Sequence, residues 1–519
     1  MLLDIKTMTT EQKLGMLYCA RSFSEEDIEF ILELIGKRAL GSIQLPPGNQ
    51  ELIDKIKAAA DYPIIIVGDA EVGFPTTNLP KIGMNSLAAC DNKEYTRAFA
   101  KGIIRDGKKA GFNAMWGPVV DITRVNGANR LSRIASDDPK KVSEIAEEIA
   151  KVFKENNYIS GAKHYPGGED YYQDTHMEEG TSNVTEKELL EFDLIPYLHL
   201  MERGLLPVIM SAHCVFNNID PEYPATLSKK VMSIIRDKGF DGVIFTDSLA
   251  MMGILQKYGE KNVYGMAIAA GNDIILPNYR TPAREAFEYL VKSYEDGVFS
   301  EDRLNEAAQR VIKAQEYISR EPLNPTEFTK EDEAMLYAIA RDCITAVTDD
   351  GVSAALGGED KDKLFVILRR NGSQTTISEE IVENEWYFPT KIADKIKQEF
   401  PGSGIEFLPE FSGPAENERV LNAATRYKEV IIITFCESPC YTGTDGLTRR
   451  TEAVINALAN SGKASTVVHF GNPYALEEIS HIKRKIFGYK ITESQIYAID
   501  VLKGNIEAKG KLPFNIKFK

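Results

Sequence analysis

The sequence is poor in the residues that build metal sites and disulfides. It has six cysteines and six histidines in 519 residues. The cysteines, at 19, 90, 214, 343, 436 and 440, are scattered and form no CxxC. Cys436 and Cys440 stand four apart with no second pair to complete a zinc site, so the thiols read as reduced and partly buried. His164, His176 and His213 lack the spacing of a metal set, and no HExxH, GxSxG or phosphate-binding loop occurs. No metal and no other cofactor is expected. Positive charge is also short. Lys and Arg number 61 against 77 Asp and Glu, a net charge of −16, which disfavours nucleic acid and anionic membranes as partners. No apolar run approaches the roughly 18 residues of a membrane-spanning helix. The opening residues show no basic segment followed by an apolar one, so the cytoplasm is the expected location.

What the chain does have is alternation. Short apolar runs at 41–45, 63–67, 113–116, 159–163, 207–210, 242–246 and 273–276 are separated by amphipathic segments. Continuous Val- and Ile-rich runs read as strands buried on both faces, hence a parallel sheet. Between them, Val142, Ile145, Ala146, Ile149, Val152 and Phe153 keep one helical face behind Asp138 and Pro139. Thr185 with Glu188 forms a capping box, and Ser228 caps a further helix. Seven strands are legible where a (β/α)8 TIM-type barrel needs eight. A doubly wound sheet shows the same alternation. The barrel is favoured because reactive side chains follow nearly every run: Asp69 and Glu71, Lys163 and His164, Ser211 and His213, and Asp247. In a barrel these strand ends converge on one face.

Residues 319–328, with prolines at 322 and 325, read as a linker. A second alternating series follows, with strands at 364–368, 430–434, 466–470 and 485–488 and helices at 390–400, 451–459 and 495–503. The expected organisation is an α/β chain: a catalytic barrel over 1–318, the linker, and a C-terminal α/β/α sandwich over 329–519.

The chemistry gathers in Lys163-His164-Tyr165-Pro166-Gly167-Gly168 and, a few residues on, Asp174-Thr175-His176. An Asp two positions before a His can fix its tautomer for acid/base work; two solvated loop residues would look the same. Asp247 ends an apolar strand, where it is either a helix cap or a nucleophile for an anomeric carbon. Lys163 and His164 are either an exposed strand end or donors to hydroxyls. Asp69 and Arg133 are either a structural ion pair or sugar ligands. Histidines 199, 469 and 481 have no visible partner and read as structural.

With these blocks in view, the chain resembles glycoside hydrolase family 3, in its β-N-acetylglucosaminidase branch. The match rests on Pro224 to Met251 with Asp247, on the 163–176 stretch, on Gly117-Pro118-Val119-Val120-Asp121 through Arg133 and Pro139, and on Met210-Ser211-Ala212-His213. Gly471-Asn472-Pro473-Tyr474 and Gly510-Lys511-Leu512-Pro513-Phe514 extend it through the second domain. The resemblance implies a retaining double displacement. Asp247 would be the nucleophile, and His176, oriented by Asp174, the acid/base. Asp69, Arg133, Lys163 and His164 would hold the sugar, with His213 a further member of the pocket. The implied substrate is a small carbohydrate with a terminal β-linked GlcNAc, an oligosaccharide or a muropeptide. The nearest alternative is a phosphorylase using the same residues, followed by a β-glucosidase and a non-catalytic sugar-binding protein.

The chain departs from the branch pattern in three places. Asp69-Ala70-Glu71-Val72-Gly73-Phe74 replaces Asp-x-Glu-Gly-Gly-Arg, Thr77 replaces an arginine, and Gly168-Glu169 replaces His-Gly. These positions are expected around the sugar pocket or its entrance. Pro166, Gly167 and Gly168 are expected to form the hinge of the acid/base loop. Loop 440–446 is expected to supply any contact from the second domain.

Overall fold

The computed structural model describes residues 2–519 apart from 22–23, 75–77, 125–131, 169, 323–324, 370–386, 437–440, 442–445 and 490. Thr77, Glu169 and most of loop 440–446 therefore lie outside the described residues. The chain forms two compact units. One comprises residues 1–78, 96–125 and 139–329, the other 79–95, 126–138 and 330–519. No described helix is long and apolar enough to cross a membrane.

The first unit is a (β/α)8 barrel. Its strands are β1 (Cys19–Ala20), β2 (Ser42–Gln44), β3 (Ile65–Gly68), β4 (Ala114–Val119), β5 (Ile159–Tyr165), β6 (Val208–Ser211), β7 (Val243–Ser248) and β8 (Ile274–Leu276). They lie parallel and in chain order around one sheet. The ends meet where Tyr18 bridges Ile275 and the Ile275 N–H donates to the Leu17 carbonyl at 2.9 Å. β1 is the strand missing from the sequence reading. It has two residues and follows directly on the helix Thr10–Met16, so Leu17 and Tyr18 continue that helix's apolar pattern and hide it.

Inside the barrel the Trp116 ring of β4 meets Phe245 of β7 edge-on at 4.6 Å. A Cβ on Gly161 of β5 would lie 2.8 Å from the Trp116 ring, so this strand position must be glycine for the indole to fit. The predicted caps are present: Thr185 and Glu188 form a capping box, and the Ser228 side chain accepts the Val231 N–H. Just before β8, at the opposite end of the strands from the reactive residues, buried Asp273 gathers Arg236, Arg303 and Arg310 at 2.6, 2.7 and 3.2 Å. The three guanidiniums compensate the charge of this buried carboxylate, away from the face where a barrel builds its active site.

The stretch read as a linker is partly anchored. The Arg105 guanidinium stacks on the Phe328 ring at 4.2 Å, and the Thr326 hydroxyl accepts from Asn156 at 2.8 Å.

The second unit carries a six-stranded sheet of β9 (Thr345–Thr348), β10 (Lys363–Arg369), β11 (Gly404–Pro409), β12 (Glu429–Cys436), β13 (Ala464–Gly471) and β14 (Arg484–Phe487). The order is β9-β14-β13-β12-β10-β11, with only β9 antiparallel. The two strands absent from the sequence reading, β9 and β11, are the sheet's edges. Both are half-exposed along most of their length, so neither shows the continuous apolar run of the central strands.

The three histidines read as structural all have partners: His199 with Glu147 at 2.6 Å, His481 with Asp349 at 3.0 Å, and His469 with Thr434 and the Asn472 carbonyl. His469 is fully buried, and burial pulls its pKa down from 6.5 to about 4. Neutral His469 therefore favours the folded state above pH 6.5. That contribution is lost as pH falls through the window from 6.5 to 4, because the unfolded state takes up the proton first. The expected loss is roughly 3 kcal/mol across the window. Urea unfolding at stepped pH checks this, and His469→Gln should flatten the slope between pH 6.5 and 5.

Candidate active site

The barrel's parallel strands place their C-terminal ends together, and the polar residues sit there. Lys163 and His164 end β5 and are 2% and 3% exposed, so they are not an open strand end. The Lys163 ammonium reaches Asp69 at 3.3 Å and Glu71 at 2.5 Å, both just beyond β3. The His164 Nδ1–H donates to Asp121 Oδ2 at 2.7 Å, since a carboxylate only accepts, while Asp121 Oδ1 takes the His164 backbone N–H at 2.8 Å. That grip turns His164 Nε2 toward Asp247 Oδ2, 3.9 Å away. The Lys163–His164 peptide is cis, as is Tyr165–Pro166.

Asp247 near the end of β7 does not cap the following helix. That helix begins at Met252, and its N-cap residue Met251 makes no side-chain cap bond. Asp247 instead accepts the Ser248 N–H at 2.7 Å. The turn after it is held by His213, whose Nε2–H donates to the Ser248 carbonyl at 3.1 Å while Nδ1 faces the Thr226 hydroxyl at 2.8 Å. His213 thus lies under the Asp247 turn with both ring nitrogens engaged by protein groups.

Asp174 and His176 are not a solvated pair. Asp174 is 5% exposed, and its Oδ1 accepts both the His176 backbone N–H at 3.0 Å and Nδ1–H at 2.8 Å. The proton on Nδ1 leaves Nε2 as the nitrogen able to gain or lose one. The loop is tied to the segment that follows Asp247. The Met252 N–H donates to the His176 carbonyl at 3.0 Å, and the Gly253 N–H to the Thr175 carbonyl at 3.3 Å. A Cβ on Gly253 would lie 2.4 Å from the Glu178 carbonyl oxygen, so only glycine lets the two backbones approach this closely.

The turn between Lys163–His164 and Asp174–His176 is anchored at both ends. The Gly167 N–H donates to the His164 carbonyl at 2.8 Å, and the Gly168 N–H to Asp193 Oδ1 at 3.0 Å. Asp193 is buried and also held by Arg124. Burial raises its pKa to about 6, against the pull of Arg124. Gly168 has φ +79°, and a Cβ there would sit 2.6 Å from the Phe216 ring. Gly168→Ala is expected to destabilise the protein by about 2–4 kcal/mol, from the left-handed backbone plus overpacking, as read by urea unfolding.

Among the predicted site residues, contacts within the barrel link Asp69 to Lys163, His164 to Asp247, and Asp174 to His176, with His213 beneath. Arg133 lies in the 126–138 stretch of the second unit. Phe74, expected near the pocket, is buried in the barrel against Phe112 at 5.7 Å; its aromatic ring suits packing better than a pocket rim. Sequence reading gave no role to Asp121 or Asp193, and named Glu71 only as a reactive strand end. Asp121 had a usable signal, an Asp just past an apolar run as at Asp69. Asp193 had none, lying inside an amphipathic helical segment.

A family model described as the glycosyl hydrolase family 3 N terminal domain matches residues 9–314. The chain belongs to glycosyl hydrolase family 3. A β-N-acetylglucosaminidase/β-glucosidase of Cellulomonas fimi is 24% identical over 330 residues, 59% of this chain and 57% of that protein. The chain thus spans just over half of that relative's length. A β-hexosaminidase of Tolumonas auensis is 28% identical over 236 residues, 43% of this chain and 69% of that one. The structure of a family 3 β-N-acetylglucosaminidase from Paenibacillus sp. str. FPU-7 superposes with a TM-score of 0.80 at 22% identity, covering 99% of this chain and 100% of the other. That likeness extends the family fold through both units.

Proposed function

We propose that this family 3 chain is a retaining exo-β-N-acetylglucosaminidase acting by double displacement. Asp247 attacks the anomeric carbon as the bond to the leaving oxygen breaks, and a glycosyl ester forms on its carboxylate. His176, oriented by Asp174, gives its Nε2 proton to the leaving oxygen. It then takes a proton from the water that cleaves the ester. Asp69, Lys163 and His164 hold sugar hydroxyls, and the family resemblance gives Arg133 the same work. His213 backs the nucleophile's turn. The substrate class is a GlcNAc-terminated oligosaccharide or muropeptide.

One observation carries the reading. Buried Asp174 holds Nδ1 of half-buried His176, and the His176 carbonyl accepts the Met252 N–H from the segment that follows Asp247. An acid/base at His176 and a nucleophile at Asp247 would share that framework, which suits a two-step displacement.

The test is nitrophenol release from an aryl β-N-acetylglucosaminide and an aryl β-glucoside, each with and without phosphate. GlcNAc as the product at either phosphate concentration is expected. GlcNAc-1-phosphate would replace the hydrolase reading by a phosphorylase. Preference for the glucoside would replace the acetylamino-sugar assignment, and binding without turnover the enzymatic one.

A further inference from the structure

Arg21, just beyond β1, has no part in the reading above. Its Nε–H donates to Gln44 Oε1 at 2.8 Å and its Nη1–H to Ser248 Oγ at 3.1 Å. Ser248 is the residue whose N–H holds the Asp247 carboxylate. On its other side the guanidinium lies 5.3 Å from the centre of the Tyr279 ring.

Three of the other bases around Asp247 face a carboxylate directly: Lys163 faces Asp69 and Glu71, His164 faces Asp121, and His176 faces Asp174. His213 faces the Thr226 hydroxyl and the Ser248 carbonyl. Beyond β8, Arg280 stacks on Tyr279 and donates to the Ala250 carbonyl. Arg21 is half-buried, and among the described residues its hydrogen-bond partners, Gln44 and Ser248, are both neutral. Taking a guanidinium out of water costs several kcal/mol unless negative charge compensates it. Burial lowers the Arg21 pKa, while the charges of Cys19, Asp247 and Asp69 raise it. A cysteine that burial drives up to about 12 is a neutral thiol near pH 7. The compensating charge is therefore that of Asp247 and Asp69, acting through space.

We propose that Arg21 is a positioning residue for the nucleophile: its charge keeps Asp247 ionised at acidic pH, and its bond to Ser248 fixes the turn that presents the carboxylate. The inference rests on Asp247 being the nucleophile. The attraction is mutual, so removing the cation must raise the pH at which Asp247 takes up a proton. A directly paired cation lowers a carboxylate pKa by about 1–3 units; with Ser248 interposed, a shift of about 0.5–1 unit is expected.

The experiment is the pH profile of kcat/KM on a dinitrophenyl β-N-acetylglucosaminide, whose leaving group needs no proton. Arg21→Gln is expected to move the acidic limb upward by about 0.5–1 unit. Activity at pH 5 would then fall several-fold more than at pH 7.5. Arg21→Lys, which keeps the charge, should leave the limb near its wild-type position while lowering kcat. Gln44→Glu leaves Arg21 in place and gives it a carboxylate of its own. It should move the limb in the same direction as Arg21→Gln, so the proposal stays testable if Arg21→Gln does not fold. An unmoved limb in folded Arg21→Gln or Gln44→Glu overturns the role. Full activity in Asp247→Ala would sink the nucleophile assignment itself. An inactive Asp247→Ala with an unmoved Arg21→Gln limb sinks only the inference.

Discussion

Asp247→Ala is expected to lower kcat/KM on an aryl β-N-acetylglucosaminide by about 10⁴-fold or more, the scale seen when a covalent nucleophile is removed. The loss should come without a comparable loss of stability. Asp247 caps no helix, and its hydrogen bond to the adjacent Ser248 N–H is local. The Ser248 turn is also held by His213 and Arg21, which the substitution leaves in place. Two measurements on one sample check the claim: steady-state release of the aglycone, and the thermal midpoint by circular dichroism. Activity within tenfold of wild type would refute the nucleophile. A collapsed midpoint would assign Asp247 to the framework instead.

His176→Ala should reveal its role through the leaving group rather than through the size of the defect alone. With a poor leaving group such as a sugar hydroxyl, the departing oxygen needs a proton, and loss of the acid should cost about 10²–10⁴-fold. With dinitrophenol the first step needs no proton, so the loss in kcat/KM should be far smaller. A uniform loss across a series of aryl glycosides would mean that His176 only shapes the pocket. Asp174→Asn should follow the same pattern, because an amide can donate to Nδ1 and stabilise the wrong tautomer. The pair is held at 2.8 Å, with Asp174 buried, so these effects report chemistry and not a wandering side chain.

Much of this site was legible in the chain because its signals are local. Asp247 closes an apolar strand, and Asp174 precedes His176 by two residues, a spacing that allows their contact whatever the fold. The capping boxes and buried strands were legible for the same reason: period and turn chemistry depend on neighbours a few residues away. β1 escaped because two residues cannot display a period. β9 and β11 escaped because an edge strand needs no continuous apolar run.

The sequence by itself determined the alternation of strand and helix, the reactive strand ends and the Asp-x-His pair. Only the tertiary structure decided which carboxylate serves which base. Lys163 meets Asp69 across 94 residues, His164 meets Asp121 across 43, and Arg21 meets Ser248 across 227. No local pattern encodes such pairings. They follow from barrel closure, which sets the ends of β1 and β8 side by side and gathers strand termini from the whole unit at one face. There, burial makes the matching of charges unavoidable, because an unmatched ion out of water is costly.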